Sequence, residues 1–270
     1  MVRYTIVASK VDHASMKMRD ALIELHGFEP TDMEYDGSKT YRYRDIDLIL
    51  SNKDVLHVDD LDKYFSPKAF IFISRHESES GIPTLTAHFT GNFTDDASHG
   101  GNPNELGWTY PSLLKEYTSN LGLSREKVPM YDIVLEGTHH GPTSLSKPCL
   151  FVEIGSSEEQ WVDERAAKVV TDSLMKSLVI EPRTEVIGLG IGGPHYSRKF
   201  TKLLFNRKIA LAGYVPKHSL TSFRENILKQ LVEKSIESIE YAVIDSKGLS
   251  IEKERVLEIV NTSNLEVMMV

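Results

Sequence analysis

Ala69-Phe70-Ile71-Phe72-Ile73 is an unbroken run of apolar residues, most of them β-branched or aromatic. A strand with one wet face alternates apolar and polar residues, whereas a strand covered on both faces reads as this one does. Comparable runs recur at 4–8, 46–50, 69–74, 84–89, 132–136, 150–154, 185–191, 208–214, 241–244 and 265–270. Helical patterns lie between them. One covers 16–26 after Ser15, a predicted N-cap. Another opens with Ser157 and Gln160 spaced as a capping box and runs to about 178. A third carries Ile227, Leu228, Leu231, Val232 and Ile236 as a stripe within 223–239. Strands alternating with helices predict an α/β fold with a mostly parallel sheet covered on both faces. No linker divides the chain, so a single domain over 1–270 is expected. The connection 94–110 is rich in Asp, Asn and Gly, as long binding loops are.

Composition narrows the function classes. The 270 residues are 40% hydrophobic and 26% charged, a globular balance. No apolar run approaches the roughly 20 residues of a membrane helix. The first residues lack a secretory h-region. A lone cysteine, Cys149, excludes an internal disulfide and predicts a reducing, cytoplasmic setting. It sits in an apolar run and reads as a small core residue. The net charge of -8 argues against a polyanionic partner. The distribution argues the other way. From Val186 to Arg224 there is no acid, while Arg198, Lys199, Lys202, Arg207, Lys208, Lys217 and Arg224 give +7, leaving -15 on the rest. Such a local basic face suits end-on contact with nucleic acid. It is equally what a solvated helix face looks like.

Ligands of open α/β sheets bind outside the carboxyl ends of the strands. Six of the ten histidines, His76, His88, His139, His140, His195 and His218, fall at or just after the end of a strand run. A single such histidine is ordinarily structural; six along one edge predict a site. In a turn, the pair His139-His140 can face one cleft. Glu136 and Glu153 come late in apolar runs, where a carboxylate is costly unless paired, ligating or catalytic. Gly188-Leu189-Gly190-Ile191-Gly192-Gly193 satisfies GxGxxG, but its first glycines lie inside the apolar run and Pro194-His195 follow at once, so no dinucleotide loop is expected. No local metal motif exists. A metal would need ligands from distant segments, and histidine with glutamate suits zinc.

Six segments now stand in order: Ser74-Arg75-His76; Leu85-Thr86-Ala87-His88-Phe89-Thr90-Gly91-Asn92; Glu136-Gly137-Thr138-His139-His140-Gly141-Pro142; Phe151-Val152-Glu153-Ile154-Gly155-Ser156-Ser157 with Trp161; Gly190-Ile191-Gly192-Gly193-Pro194-His195-Tyr196; and Gly213-Tyr214-Val215-Pro216-Lys217. Together they resemble the archaeal and plant type of D-aminoacyl-tRNA deacylase over essentially the whole chain. The resemblance implies a three-layer α/β/α sandwich with a mostly parallel mixed sheet, similar to the peptidyl-tRNA hydrolase and nucleoside phosphorylase folds. It also implies zinc dependence and release of a free D-amino acid from tRNA.

Ester hydrolysis needs a positioned water, a base and donors for the oxyanion. His139, His140, Glu136 and Asn92 are the catalytic candidates, and His88, His139, Glu153 and His195 the candidate metal ligands. Gly192 and Gly193 are expected to hold the oxyanion or the amino acid. Lys199, Lys202, Arg207 and Lys217 are expected on the phosphates of the tRNA acceptor end. Two other classes compete. A metal-dependent amidase or peptidase would use the histidines and acids but leaves the +7 stretch without a role. A non-catalytic tRNA-binding module would use the basic stretch but not the histidines.

Overall fold

The computed structural model describes residues 2–206 and 208–270. The chain runs β1 (Tyr4–Ser9), α1 (His13–His26), β2 (Glu29–Tyr35), β3 (Ser38–Tyr43), β4 (Ile46–Ser51), β5 (Ala69–Glu77), β6 (Thr84–Phe89), α2 (Pro111–Leu123), β7 (Asp132–Leu135), β8 (Cys149–Ser156), α3 (Glu158–Trp161), α4 (Glu164–Leu178), β9 (Val186–Ile191), α5 (Arg198–Asn206), β10 (Ile209–Val215), α6 (Glu225–Glu233), β11 (Tyr241–Ile244), α7 (Ser246–Leu249), α8 (Lys253–Asn261) and β12 (Glu266–Met269). The expected α/β class with a mostly parallel mixed sheet is what forms. Eight strands order as β2-β3-β4-β1-β5-β8-β6-β7, and four as β10-β9-β11-β12. Among these strands, only the β2–β3, β3–β4 and β6–β8 pairings are antiparallel.

In the large sheet, strand alternation sends Ile71 and Ile73, Val152 and Ile154, and Leu85, Ala87 and Phe89 into one core with α1, α2 and α4. The same core continues through Phe200, Leu204, Leu211 and Tyr214 beneath the small sheet. Beyond the small sheet, α6 and α8 close a second core around Ile187, Leu189 and Ile244. The opposite face of the large sheet carries Phe70, Phe72 and Phe151, covered by the turns that follow β4. The two sheets are stitched together after β7: Gly137 N donates to His195 O at 2.9 Å and Thr138 N to Tyr214 O at 3.1 Å. On the other side of that segment, Gly91 N donates to His140 O at 2.8 Å.

Several element ends differ from expectation for local reasons. The first helix starts three residues earlier, because Asp12 is its N-cap, accepting from Ser15 N at 2.9 Å. Ser15 Oγ instead accepts from Ser9 N at 2.8 Å. The Gln160 side chain does accept from Ser157 N at 3.0 Å. That helix nevertheless stops at Trp161 and restarts under a second cap, Asp163, which accepts from Arg165 N and Ala166 N. The stripe at 223–239 is helical only over Glu225–Glu233, because Lys234 O is taken by Thr109 N at 2.8 Å. The hairpin of β2 and β3 was not anticipated. Its turn residues, Asp36 and Gly37, both have positive φ, as a two-residue hairpin turn requires.

Phe200 is fully buried between the sheets, 4.9 Å from the Tyr214 ring. Phe200→Ala should lower unfolding free energy by about 3–5 kcal/mol, measured by urea denaturation. A decrease under about 1 kcal/mol, far below the usual cost of emptying such a site, would show that the shared core does not depend on it.

Candidate active site

Alternation along three neighbouring strands builds the site. Ser74 on β5 stands opposite Glu153 on β8, and Glu153 opposite Thr86 on β6. His76 and His88 lie two residues further along β5 and β6, so all five side chains share one sheet face. Ser74, His88 and Glu153 lie inside strands as their runs implied; His76, expected just past its run, is also inside one because β5 extends to Glu77, and all lie on a face that elsewhere holds apolar side chains. Glu136 follows β7, His139 and His140 follow it in the stitching segment, and His195 comes from the turn after β9.

Two buried carboxylates organise the cluster. Glu153 accepts from Ser74 Oγ at 2.6 Å and Thr86 Oγ1 at 3.2 Å, and its Oε2 lies 3.6 Å from both His76 Nδ1 and His88 Nε2. Glu136 has His76 Nδ1 at 3.1 Å, His195 Nε2 at 3.2 Å and His139 Nε2 at 3.7 Å. Burial works to raise the pKa of both acids, but the hydrogen bonds from His195 and His76 hold Glu136 well below the carboxylate range, and the close approach of His76 and His88 does the same for Glu153. Burial likewise opposes charge on His76, yet its bonds to Glu136 and Glu153 push its pKa up to about 11. His76 is therefore an imidazolium between two glutamates, and Tyr196 OH lies 3.1 Å from its other nitrogen.

His139 and His140 are neutral. Burial, then the neighbouring His88, pulls His139 well down and His140 down to about 4. Their Nδ1 atoms contact Gly137 O at 2.9 Å and Gly141 O at 2.7 Å, and His88 Nδ1 contacts Phe89 O at 3.1 Å. A carbonyl only accepts, so each Nδ1 carries hydrogen, and the Nε2 atoms of the neutral His139 and His140 are left over; His88 Nε2 instead faces Glu153, which raises the His88 pKa against its burial. The His88 ring centroid lies 4.1 Å from that of His139 and 4.7 Å from that of His140. Ring nitrogens of these three gather within 4.8 Å of one another, and so do ligand atoms of Glu136, His139 and His195 and of His76, Glu136 and Glu153. A cleft of about 570 Å³ opens over the cluster.

The expected ligand quartet is thus regrouped: His88 and His139 meet His140 as their third partner, while Glu153 sits with His76. Both amide hydrogens of Asn92 are committed, to Gly100 O at 2.9 Å and Asn102 O at 3.1 Å, and Asn92 does not line the cleft. It holds the long loop in place. Gly192 and Gly193 form a positive-φ turn outside the cleft lining, with Gly193 O accepting from Lys217 N at 2.8 Å. Lys199 is paired with Asp245 at 2.5 Å and bonds Val270 O at 3.1 Å. Lys202 and Lys217 are exposed, and Arg207 lies outside the described residues. Ser74, Thr86 and Tyr196 were missed as site residues. The signal for the first two was present: polar residues at every second position of two otherwise apolar strands.

A family model described as D-aminoacyl-tRNA deacylase matches residues 63–268. The chain belongs to the D-aminoacyl-tRNA deacylase family. It is 36% identical over 249 residues to the D-aminoacyl-tRNA deacylase of Pyrococcus furiosus, covering 90% of both chains. It is 34% identical to that of Cenarchaeum symbiosum, covering 97% of this chain and 98% of the relative. The crystal structure of a conserved protein of unknown function has the same fold, with a TM-score of 0.91 at 29% identity over 99% of this chain and 95% of that one. The deacylase match contains every histidine and glutamate of the cluster.

The charge states set a pH dependence for folding. His140 takes up a proton at about 4 when folded, against 6.5 for an unperturbed histidine. Between these values the unfolded chain binds more protons, so stability rises with pH. His76 keeps its proton up to about 11 when folded, so above 6.5 the unfolded chain binds fewer and stability falls as pH rises. Chelator-treated protein should therefore be most stable near pH 6.5, the unperturbed histidine value, read from urea midpoints on either side of it. His140→Gln should flatten the acid limb; an unchanged slope would contradict the assignment.

Proposed function

We propose that this chain hydrolyses the ester joining a D-amino acid to the terminal ribose of tRNA, releasing free D-amino acid and tRNA and returning a mischarged tRNA to use. The observation that carries the reading is the convergence of five imidazoles and two carboxylates in one cluster beneath the cleft, in a chain of the family that bears this name. We place the activity in the cytoplasm and read residues 1–270 as one domain around the shared core.

Glu136 is ionised and lines the cleft, so it is placed to take a proton from an attacking water. Once protonated, Glu136 returns that proton to the leaving ribose oxygen, and His195, donating to it at 3.2 Å, fixes the orientation of the carboxylate. His76 keeps Glu136 and Glu153 apart and charged. With Asn92 and the imidazole N–H groups committed, the Tyr196 hydroxyl, which lines the cleft and accepts from the His76 imidazolium at 3.1 Å, is the side-chain donor at hand for the oxyanion.

The residues fit zinc. His88 Nε2 is buried without a hydrogen-bond partner among the described residues. Histidine ligands of zinc hold their second nitrogen on a carbonyl or carboxylate, as His88, His139 and His140 do on backbone carbonyls. Three nitrogen ligands with an open side toward a cleft are a catalytic zinc arrangement. When bound, zinc would polarise the ester carbonyl and lower the pKa of water. The acceptor end reaches the cleft across the exposed Lys202 and Lys217, the latter set by the Gly192-Gly193 turn. Lys199 holds α5 to Asp245.

Matched D- and L-tyrosyl-tRNA test the reading. Free tyrosine should be released from the D form and far more slowly from the L form. A chelator should abolish release and zinc restore it. His139→Ala and His140→Ala should each lower kcat by about 10²-fold or more. Tyrosine release that is equal for both forms, or full activity in both variants, would defeat the proposal. Lys202→Glu with Lys217→Glu should weaken tRNA binding and reduce its salt slope by about one for each phosphate no longer neutralised; an unchanged slope places tRNA elsewhere.

A further inference from the structure

The cleft extends beyond the chemistry. Past His76 it continues over the carboxyl ends of β4, β1 and β5, where Asp54, Asp12 and Arg75 line it. After β1 the chain turns toward β4 on one side, while β5 and β8 build the sheet on the other. Such a reversal of strand order opens a crevice at the carboxyl edge, the usual ligand position of an open α/β sheet. With strands about 4.8 Å apart, β4 to β5 spans roughly 10 Å, with β8 and Glu153 one strand further.

Among the described residues, Arg75 is the one lysine or arginine lining the cleft. Its guanidinium is pinned at the edges: NH2 to Asp54 at 3.0 Å, NH1 to Asp12 at 3.6 Å and Nε to Glu77 at 4.0 Å. The Trp161 ring backs it, with the guanidinium carbon 5.8 Å from the ring centroid. A guanidinium held edge-on among carboxylates offers a flat cationic face for stacking. Val55 and Leu56 supply an apolar part of the wall. Asp54 accepts from Leu56 N and from Arg75, which leaves lone pairs to spare. Three carboxylates surround one guanidinium, so this end repels a phosphate. It suits a flat, neutral ligand rich in hydrogen-bond donors.

We infer that this end of the cleft is the subsite for the terminal nucleoside of the substrate. The purine lies between the Arg75 guanidinium and the Val55–Leu56 wall, and Asp54 accepts from a ribose hydroxyl or the purine amino group. The ester then falls at the histidine cluster, and the 5′ side of the nucleoside leads out of the cleft. The link to catalysis rests on the deacylase reading; the nucleoside site itself does not.

Calorimetric titration of the full chain with adenosine, and separately with adenosine 5′-monophosphate, tests it. Arg75→Gln and Asp54→Asn are the variants, and Asn still caps the turn after β4. Adenosine should bind the wild type and bind each variant at least ten-fold more weakly, with thermal midpoints close to wild type. The monophosphate should bind no more tightly than adenosine. The KM for D-tyrosyl-tRNA should rise about ten-fold, more than kcat falls. No adenosine binding to the wild type, unchanged affinity in both variants, tighter binding of the monophosphate, or a fall in kcat alone would each overturn the subsite. Adenosine binding without tyrosine release would sink the deacylase reading and leave the subsite standing. Tyrosine release with adenosine affinity unmoved in the variants would do the reverse.

Discussion

Two carboxylates buried on the face of a sheet, Glu136 and Glu153, are the constraint from which the rest of the site follows. An ionised carboxylate out of water costs several kcal/mol unless cations and hydrogen-bond donors surround it. Here the compensation comes from several distant segments. Ser74 and His76 arrive from β5, Thr86 and His88 from β6, and His195 from the turn after β9. The antiparallel insertion of β6 beside β8 matters for this reason: it sets Thr86 opposite Glu153 and brings His88 within reach of the same oxygen. Removing either glutamate leaves an imidazolium at His76 with half its partners, so the pair and the imidazoles stand or fall together.

The walls are fixed by backbone contact more than by side chains. A Cβ on Gly141 would lie 2.2 Å from Gly101 N, and one on Gly100, whose φ is +81°, 2.0 Å from Leu56 O. The long loop is therefore pressed against both the His139-His140 turn and the turn after β4. Imidazole orientation is set the same way, by carbonyls of Gly137, Gly141 and Phe89. Ring planes and tautomers are settled before any ligand arrives, which is the preorganisation a hydrolytic site needs.

Much of this was legible in the sequence, and the gaps have physical causes. The buried strands showed because both faces are apolar. The glycines at 188 and 190 read correctly as strand residues: a Cβ on Gly190 would come 2.4 Å from Tyr214 Cβ, so they serve sheet packing. The hairpin of β2 and β3 escaped because its strands are polar and mostly exposed, although Asp36-Gly37 marked the turn. The histidines and both glutamates were found by their positions near strand ends. Their grouping was not, because it depends on the register of β5, β8 and β6. One residue of slip would have turned Ser74, Thr86 and Glu153 toward the opposite core. Asn92 was misjudged for a related reason: residue type shows that an amide can donate, and only the fold shows where its hydrogens go.

The basic stretch shows the same limit from the electrostatic side. Read as a string it carries +7 without an acid. Folded, Arg198 meets Asp132 and Lys199 meets Asp245, both acids lying outside that stretch. Among the described residues, the charge left to face solvent is smaller and borne by the exposed Lys202, Lys208, Lys217 and Arg224. Fields of exposed charges fade within about 8 Å at physiological salt, so a chain of net charge -8 can still make a close phosphate contact, but it cannot draw a whole tRNA onto itself. If the acceptor end enters the cleft as proposed, shape and hydrogen bonds there, more than net charge, decide what stays.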